Sequence, residues 1–147
     1  MKKRYIRIIL IIIRLTLGLI FVGAACSKII APLEFAGSIE NYRVFGILLS
    51  RWGAVFLPFF ELIVGLMLIF GFWLREAFWL TVVLFLVFDV MIAQAYFRGL
   101  DISCGCFSPG DVLPIDLVKI IENILLTALS IIGLLLTQWI EKYSLNK

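Results

Sequence analysis

The sequence predicts an all-α integral membrane protein, a bundle of four helices that cross a lipid bilayer, and three observations support this fold class. Hydrophobic residues make up 63% of the 147-residue chain and charged residues 16%, whereas a soluble domain has roughly 45–50% apolar and about 25% charged residues. Four stretches are long and apolar enough to cross about 30 Å of hydrocarbon. Aromatic residues typical of membrane interfaces lie near the ends of these stretches: they are Trp52, Trp73, Trp79, Tyr96 and Trp139.

The four predicted spans belong to a single domain, residues 1–147. Backbone amides inside lipid need hydrogen-bond partners within the protein, so each apolar stretch is predicted to be a helix of one bundle. The approximate spans are residues 6–29, 52–72, 77–96 and 114–139, and the two longer loops are residues 30–51 and 97–113.

The distribution of lysine and arginine predicts that both termini are cytoplasmic, because cytoplasmic loops carry an excess of positive charge. With the N-terminus inside, that side holds Lys2, Lys3, Arg4, Arg7, Arg75, Lys142 and Lys147, against Lys28, Arg43, Arg51 and Arg98 outside. Both longer loops then face the extracytoplasmic side of a bacterial cytoplasmic (inner) membrane. The net charge of +3 is small and dispersed, so no nucleic-acid partner is expected.

The first apolar stretch has a second interpretation, as a cleaved signal peptide with Cys26 as the lipidated residue of a lipoprotein. Arg14 interrupts the apolar run, and Gly23 stands where lipoprotein signals usually carry a larger aliphatic residue. We therefore expect this stretch to be the first membrane helix.

Two cysteines, Cys104 and Cys106, lie one residue apart in the stretch "DISCGCFSPGD". Gly105 can adopt positive φ, which lets the two thiols approach disulfide geometry in a strained ring. Strained, exposed disulfides exchange readily, and the predicted side of the membrane is oxidising. The alternatives are a structural or inert pair and a soft-metal site for Cu(I). Cys26 is either a third thiol beneath this loop or a packing residue.

The absence of histidine narrows the chemistry that the chain can perform. It excludes histidine acid–base catalysis, imidazole ligation of haem and a Cys/His zinc site. Three cysteines are also too few for an all-thiolate site with four ligands, so no resident metal is predicted.

Ionisable residues inside the predicted spans form the second candidate feature, because charges are costly in lipid and are expected to face the bundle interior in pairs. They are Arg14, Glu61, Asp89, Lys119 and Glu122, with Asn123 as a polar neighbour. Lys119 and Asn123 are four residues apart and predict a polar stripe on one helix. These residues either fix the bundle or form a pocket that tunes a thiol pKa or exchanges protons with a quinone; Lys28 and Glu61 are its preferred members.

Three stretches resemble the MauE/DoxX family of redox-associated membrane proteins, and more closely its MauE branch. They are "RLTLGLIFVGAACSKIIAPLEFAGSIENYRVF" from residue 14, "LPFFELIVGLMLIFGFWLR" from residue 57 and "CGCF" from residue 104. The resemblance implies a four-helix membrane protein, often with a thioredoxin-like partner. In methylamine utilisation the family is implicated in disulfide formation or maturation of a periplasmic enzyme.

The resemblance also implies roles for individual residues. Cys104 and Cys106 match the family's cysteine pair, and a polar and glycine signature is matched by Arg14, Lys28, Glu61 and Gly65. Ser108 replaces a glycine that commonly follows "CGCF", and Cys26 has no assigned counterpart.

The sequence and the resemblance together predict a membrane thiol–disulfide exchange protein that uses Cys104 and Cys106 with an extracytoplasmic thioredoxin-like partner. Such a protein supports disulfide formation or maturation of exported proteins, as a thiol–disulfide oxidoreductase linked to that partner or to a quinone. The alternatives are a non-catalytic scaffold or chaperone that docks a redox partner, and a copper-binding or transport subunit. No cofactor is required by the pattern, and a quinone is the candidate electron acceptor.

Overall fold

The computed structural model describes residues 2–42, 46–99 and 117–145, and nearly all of these residues are helical. The helices are α1 (Lys2–Ile30), α2 (Pro32–Asn41), α3 (Ile47–Phe70), α4 (Leu74–Phe97) and α5 (Leu117–Leu145). Four of them, α1, α3, α4 and α5, are long and apolar enough to cross a membrane. The prediction of an all-α membrane bundle with four spans is therefore confirmed, whereas the cytoplasmic position of the termini stays a prediction.

The four long helices pack in an up-down-up-down arrangement in which each is antiparallel to its neighbours. α1 packs mainly on α3, and α4 mainly on α5, while smaller contacts between α1 and α5 and between α3 and α4 close the bundle. The turn between α3 and α4 contains Gly71 in the left-handed region with φ of 80°. This short turn fixes α3 and α4 as antiparallel neighbours.

The interior of the bundle holds an apolar core. Leu17, Phe21, Leu68 and Phe78 are among its buried side chains, and the ring of Phe21 meets that of Phe85 edge-on, with 5.1 Å between centroids. The outward faces of the four long helices also carry large apolar side chains, for example Leu19, Phe59, Val90 and Leu125. A helix that is apolar on its outward face as well as its inward one is suited to contact with lipid.

Close contact between α1 and α3 depends on two glycines. A methyl group built on Gly18 would lie 2.7 Å from Ile69 Cγ1 and 3.0 Å from the Gly65 carbonyl oxygen. A methyl group on Gly65 would lie 3.0 Å from both Phe21 Cβ and Val22 Cγ2. Small residues at a helix interface allow the two backbones to approach closely in a membrane, and this contact sets the register between α1 and α3.

Helix α2 lies within residues 30–51, where the hydropathy pattern predicts only a loop. Pro32 occupies its first turn, where a missing amide hydrogen costs nothing, and Glu34 complements the helix dipole there. Phe35 and Ala36 are buried against Ala54 of α3, with Leu57 packed alongside. α2 therefore packs along the first half of α3.

Candidate functional site

A buried ion pair between Lys28 and Glu61 is the centre of the candidate site. Lys28, in the last turn of α1, donates hydrogen bonds from Nζ to both carboxylate oxygens of Glu61 in α3, at 2.6 and 2.8 Å. Lys28 is 0% exposed and Glu61 1% exposed. Two unlike charges at hydrogen-bond distance satisfy each other, which is the arrangement expected of ionisable residues inside a membrane bundle.

Two aromatic rings cover the ammonium group of Lys28. Its Nζ lies 4.9 Å from the centroid of Phe35 in α2 and 5.1 Å from that of Phe88 in α4. Both distances are within the range of cation–π attraction, which strengthens where water is excluded. Four helices thus enclose the ion pair, because α1 and α3 supply the charges and α2 and α4 supply the rings.

A second polar cluster joins α4 to α5. Asn123 Nδ2 donates to Asp89 Oδ1 at 2.7 Å, and the Thr127 hydroxyl lies 2.7 Å from Asp89 Oδ2 and 3.0 Å from the Asn123 carbonyl oxygen. The single hydroxyl hydrogen can be given to only one acceptor at a time, and the carboxylate is the stronger one. Asn123 and Thr127 are buried, so this cluster is also part of the bundle interior.

A small, half-enclosed cavity of about 20 Å³ lies between the ion pair and the second cluster. Its polar lining residues are Glu61 and Asn123, and the remaining lining is Ile20, Phe21, Ala24, Phe85 and Phe88. The cavity therefore touches one member of each cluster and is otherwise apolar.

Arg14 lies in the middle of α1, about four helical turns before Lys28 and away from the ion pair. Its Nη2 donates to the Ile69 carbonyl oxygen at 3.3 Å, and its guanidinium packs against Gly71. The Ile69 carbonyl belongs to the last turn of α3, where carbonyls lack helical partners and a cation is favourable. Arg14 therefore caps α3 and does not join the interior clusters.

Lys119 and Glu122 contact each other and lie outside the interior clusters. Their charged atoms are 3.4 Å apart, and the side chains are 27% and 49% exposed. Asn123, the next residue along α5, is 3% exposed and turned inward. The three residues thus differ in environment, and Asn123 donates to Asp89 Oδ1.

The cysteines are divided between the described and the undescribed parts of the chain. Cys26 is exposed on α1 and forms no disulfide with any described residue. Its neighbour Ala25 is fully buried, so Cys26 faces away from the bundle interior. Cys104 and Cys106 lie outside the described residues. Among the residues that are described, no group of three histidine, cysteine, aspartate or glutamate side chains is placed to hold a metal ion.

A contact at the end of α4 ties that helix to α2. Arg98 Nη1 donates to the Tyr42 carbonyl oxygen at 3.3 Å, so the C-terminal ends of α2 and α4 lie at the same end of the bundle. Burial raises the pKa of the Tyr42 phenol to about 12, because a phenolate loses hydration there. The segment that contains Cys104 and Cys106 follows directly after Arg98 and Gly99.

A family model described as "Methylamine utilisation protein MauE" matches residues 6–136 of the chain. The chain belongs to the MauE family. The match begins in α1 and ends in α5, so it includes all four spanning helices of this MauE-family bundle.

Two similar proteins carry the same name, "Methylamine utilization protein MauE". The MauE protein of Paracoccus denitrificans is 37% identical over 120 residues, and that of Paracoccus versutus is 33% identical over 120 residues. Each match covers 81% of this chain and 64% of the relative, so it spans less than two thirds of either relative's length. No solved structure shows significant similarity to the chain.

The residues that carry the MauE resemblance have clear positions in the described helices. Lys28 and Glu61 form the buried pair, Gly65 lies at the close contact between α1 and α3, and Arg14 caps α3. These four residues therefore all act at the interface between α1 and α3.

Sequence reasoning missed three residues that complete the polar interior of this MauE-family protein. Thr127 lies one helical turn beyond Asn123, and that spacing is a signal for a shared face. Phe35 and Phe88 contact Lys28, but an aromatic residue in an apolar sequence gives no sign of a cation partner. Their roles emerge only when the helices are assembled.

Proposed function

We propose that this chain is a membrane thiol–disulfide exchange protein that uses Cys104 and Cys106 with an extracytoplasmic thioredoxin-like partner. The observation that carries the proposal is the Cys-Gly-Cys sequence in the connection between α4 and α5 of a MauE-family chain. Such a pair can close a strained, readily exchanged disulfide. The proposed location is the cytoplasmic membrane of a bacterium, with this connection on the extracytoplasmic side.

The exchange transfers two electrons between two pairs of thiols. A thiolate of the partner attacks the Cys104–Cys106 disulfide, which forms a mixed disulfide and releases one thiolate of this chain. The partner's second thiolate then breaks the mixed disulfide, which leaves the partner oxidised and both cysteines of this chain reduced. Restoring the disulfide requires an acceptor of two electrons and two protons, and a quinone would supply this chemistry by leaving as quinol.

The polar interior has a supporting role in this proposal. Lys28 and Glu61 satisfy each other at 2.6 and 2.8 Å and are shielded from solvent, so the pair fixes α1 against α3. Asp89 and Asn123 similarly fix α4 against α5 at 2.7 Å. Interhelical polar contacts of this kind stabilise a bundle, which in turn holds the ends of α4 and α5 that carry the cysteine connection.

The names of the two Paracoccus relatives suggest the biological setting. The exported proteins that this chain serves would include an enzyme of methylamine utilisation whose maturation requires disulfide bonds. Deletion of the gene followed by mapping of disulfides in that enzyme tests this part of the proposal, because correctly paired cysteines in the deletion strain would contradict it.

Trapping of a mixed disulfide tests the exchange itself. The Cys106→Ser variant leaves Cys104 unable to resolve an adduct, and the Cys104→Ser variant does the same for Cys106. We expect at least one single variant to carry a covalently attached thioredoxin-like protein that a reductant releases. The double variant is the matched control and should carry none.

The same variants distinguish the alternatives. A scaffold or chaperone predicts no adduct in either variant and unchanged maturation of exported proteins in the double variant. A copper subunit predicts stoichiometric Cu(I) in the purified protein, which is lost when either cysteine is replaced. Either result would contradict thiol–disulfide exchange.

A further inference from the structure

The cavity between the two polar clusters has no role in the proposed thiol chemistry, and its size and lining suggest that it binds a small ligand. It has a volume of about 20 Å³, and a water molecule needs roughly 10–15 Å³ measured in this way. The enclosed part of the cavity has room for one water molecule. The volume therefore matches a single water molecule.

The polar groups at the cavity match the hydrogen-bonding needs of water. The Glu61 carboxylate accepts two hydrogen bonds from Lys28, which leaves further lone pairs available. Asn123 uses one amide hydrogen for Asp89, and its second amide hydrogen and its side-chain carbonyl oxygen have no partner among the described residues. A buried water is stable where two to four polar partners are available, and Glu61 and Asn123 supply them.

We propose that the cavity binds one ordered water molecule, which hydrogen-bonds Glu61 and Asn123 and joins the two polar clusters into one network. The network includes a side chain from each of the four spanning helices: Lys28 of α1, Glu61 of α3, Asp89 of α4, and Asn123 and Thr127 of α5. This water site is independent of the proposed exchange at Cys104 and Cys106.

Hydroxyl-radical footprinting of the full-length protein in lipid nanodiscs tests for the water. Radiolysis of a bound water oxidises the side chains that touch it, and the alanine variants below separate that signal from oxidation by solvent at the open side of the cavity. Phe85 lines the cavity and is 3% exposed, whereas Phe78 is 0% exposed and packs against Gly133, away from the cavity. We expect several-fold more oxidation at Phe85 than at Phe78, and equal oxidation would overturn the proposal.

A pair of alanine variants tests the location of the water. Ala24 lines the cavity, and Ala36 packs in α2 away from it; each is 9% exposed. Ala24→Val fills the cavity without removing a polar group, so we expect oxidation of Phe85 to fall to the level of Phe78. Ala36→Val should leave it unchanged. Undiminished oxidation of Phe85 in a folded Ala24→Val protein would overturn the proposal. If Ala24→Val does not fold, the comparison of Phe85 with Phe78 in the wild-type protein is the deciding test.

Discussion

The ammonium group of Lys28 lies 2.6 and 2.8 Å from the two carboxylate oxygens of Glu61, and both side chains are almost completely shielded. Each charge is therefore compensated by the other in a region where hydration is not available. The removal of one partner leaves the other charge buried and alone, which is far more costly than the removal of both.

We predict that removing one charge of the Lys28–Glu61 pair destabilises the protein strongly, whereas removing both charges costs much less. Glu61→Gln or Lys28→Met should destabilise the folded protein by about 3–5 kcal/mol, measured by thermal or chemical unfolding in detergent. The double variant Lys28→Met/Glu61→Met should recover most of that loss. Glu122→Gln is the control, since its exposed contact with Lys119 should contribute less than about 1 kcal/mol. Equal losses for Glu61→Gln and Glu122→Gln would contradict the prediction.

Loss of the interhelical hydrogen bond of Thr127 should destabilise the protein more than loss of an intrahelical hydrogen bond. Thr127→Val removes the hydroxyl that contacts Asp89 of α4 and should cost roughly 1 kcal/mol. Thr137→Val removes a hydroxyl whose acceptor among the described residues is the Gly133 carbonyl of the same helix, and a few tenths of a kcal/mol are expected there. Unfolding of both variants under identical conditions makes the comparison, and a similar cost for the two would argue against the Asp89 contact.

The contact between α1 and α3 should not tolerate an added methyl group. Gly18→Ala and Gly65→Ala each place Cβ within 3.0 Å of the neighbouring helix, so losses of about 1–3 kcal/mol from overpacking are expected. Gly23 lies on the same helix as Gly18, and a methyl group added there would have no neighbouring atom within 4 Å. Gly23→Ala should therefore be neutral or slightly stabilising, because alanine favours a helix. Destabilisation by Gly23→Ala as large as that by Gly65→Ala would exclude a packing origin.

The buried phenol of Tyr42 predicts a loss of stability at high pH. Its pKa is about 12 in the folded protein against an ordinary value of 10.0, so the unfolded state releases the phenolic proton first as pH rises. The contribution of the neutral Tyr42 phenol to the free energy of unfolding is constant below pH 10.0. It falls by a total of roughly 3 kcal/mol between pH 10.0 and about 12.

The difference between wild-type protein and the Tyr42→Phe variant isolates this effect. As pH rises from 10.0 towards 12, the unfolding free energy of the wild-type protein should fall relative to that of Tyr42→Phe, and the phenolate absorbance of Tyr42 should develop only in the upper part of that range. Ionisation of Tyr42 near pH 10.0 would contradict its burial.

Cys26 is predicted to be dispensable for thiol exchange. Its side chain is exposed on α1 and faces away from the interior that holds Lys28 and Glu61. Cys26→Ala should therefore leave maturation of exported proteins unchanged, in contrast to Cys104→Ala. Adding Cys26→Ala to the Cys104→Ser or Cys106→Ser variant should leave its adduct in place. A loss of maturation in Cys26→Ala, with normal membrane levels of the variant, would restore the interpretation of Cys26 as a third thiol.

The spans were predictable from sequence because each one must be a continuous apolar stretch long enough to cross the lipid. About 20 consecutive apolar residues are needed whatever the neighbouring helices do, so the four long helices follow directly from hydropathy. Helix α2 has only ten residues and is stabilised by burial of Phe35 and Ala36 against α3. Its existence depends on that tertiary contact, which hydropathy does not report.

The polar residues of the site were predictable by type, and their partners were not. A charge inside a span must be compensated, which identifies Lys28, Glu61 and Asp89 without a structure. Glu61 could pair with any cation on a neighbouring helix, and the register fixed at Gly18 and Gly65 decides which one reaches it. Thr127 carries no charge, so only its four-residue spacing from Asn123 distinguishes it from a packing residue.

The pairing of Lys28 with Glu61 also constrains how the nascent chain enters the membrane. Glu61 follows Lys28 by 33 residues and Asn123 follows Asp89 by 34, so each polar contact joins two successive spans. The first span therefore leaves the insertion machinery with an uncompensated ammonium group until the second one arrives beside it. Biogenesis is then expected to proceed by two helical hairpins, α1 with α3 and α4 with α5, each of which forms hydrogen bonds between its own polar groups before the hairpins dock together.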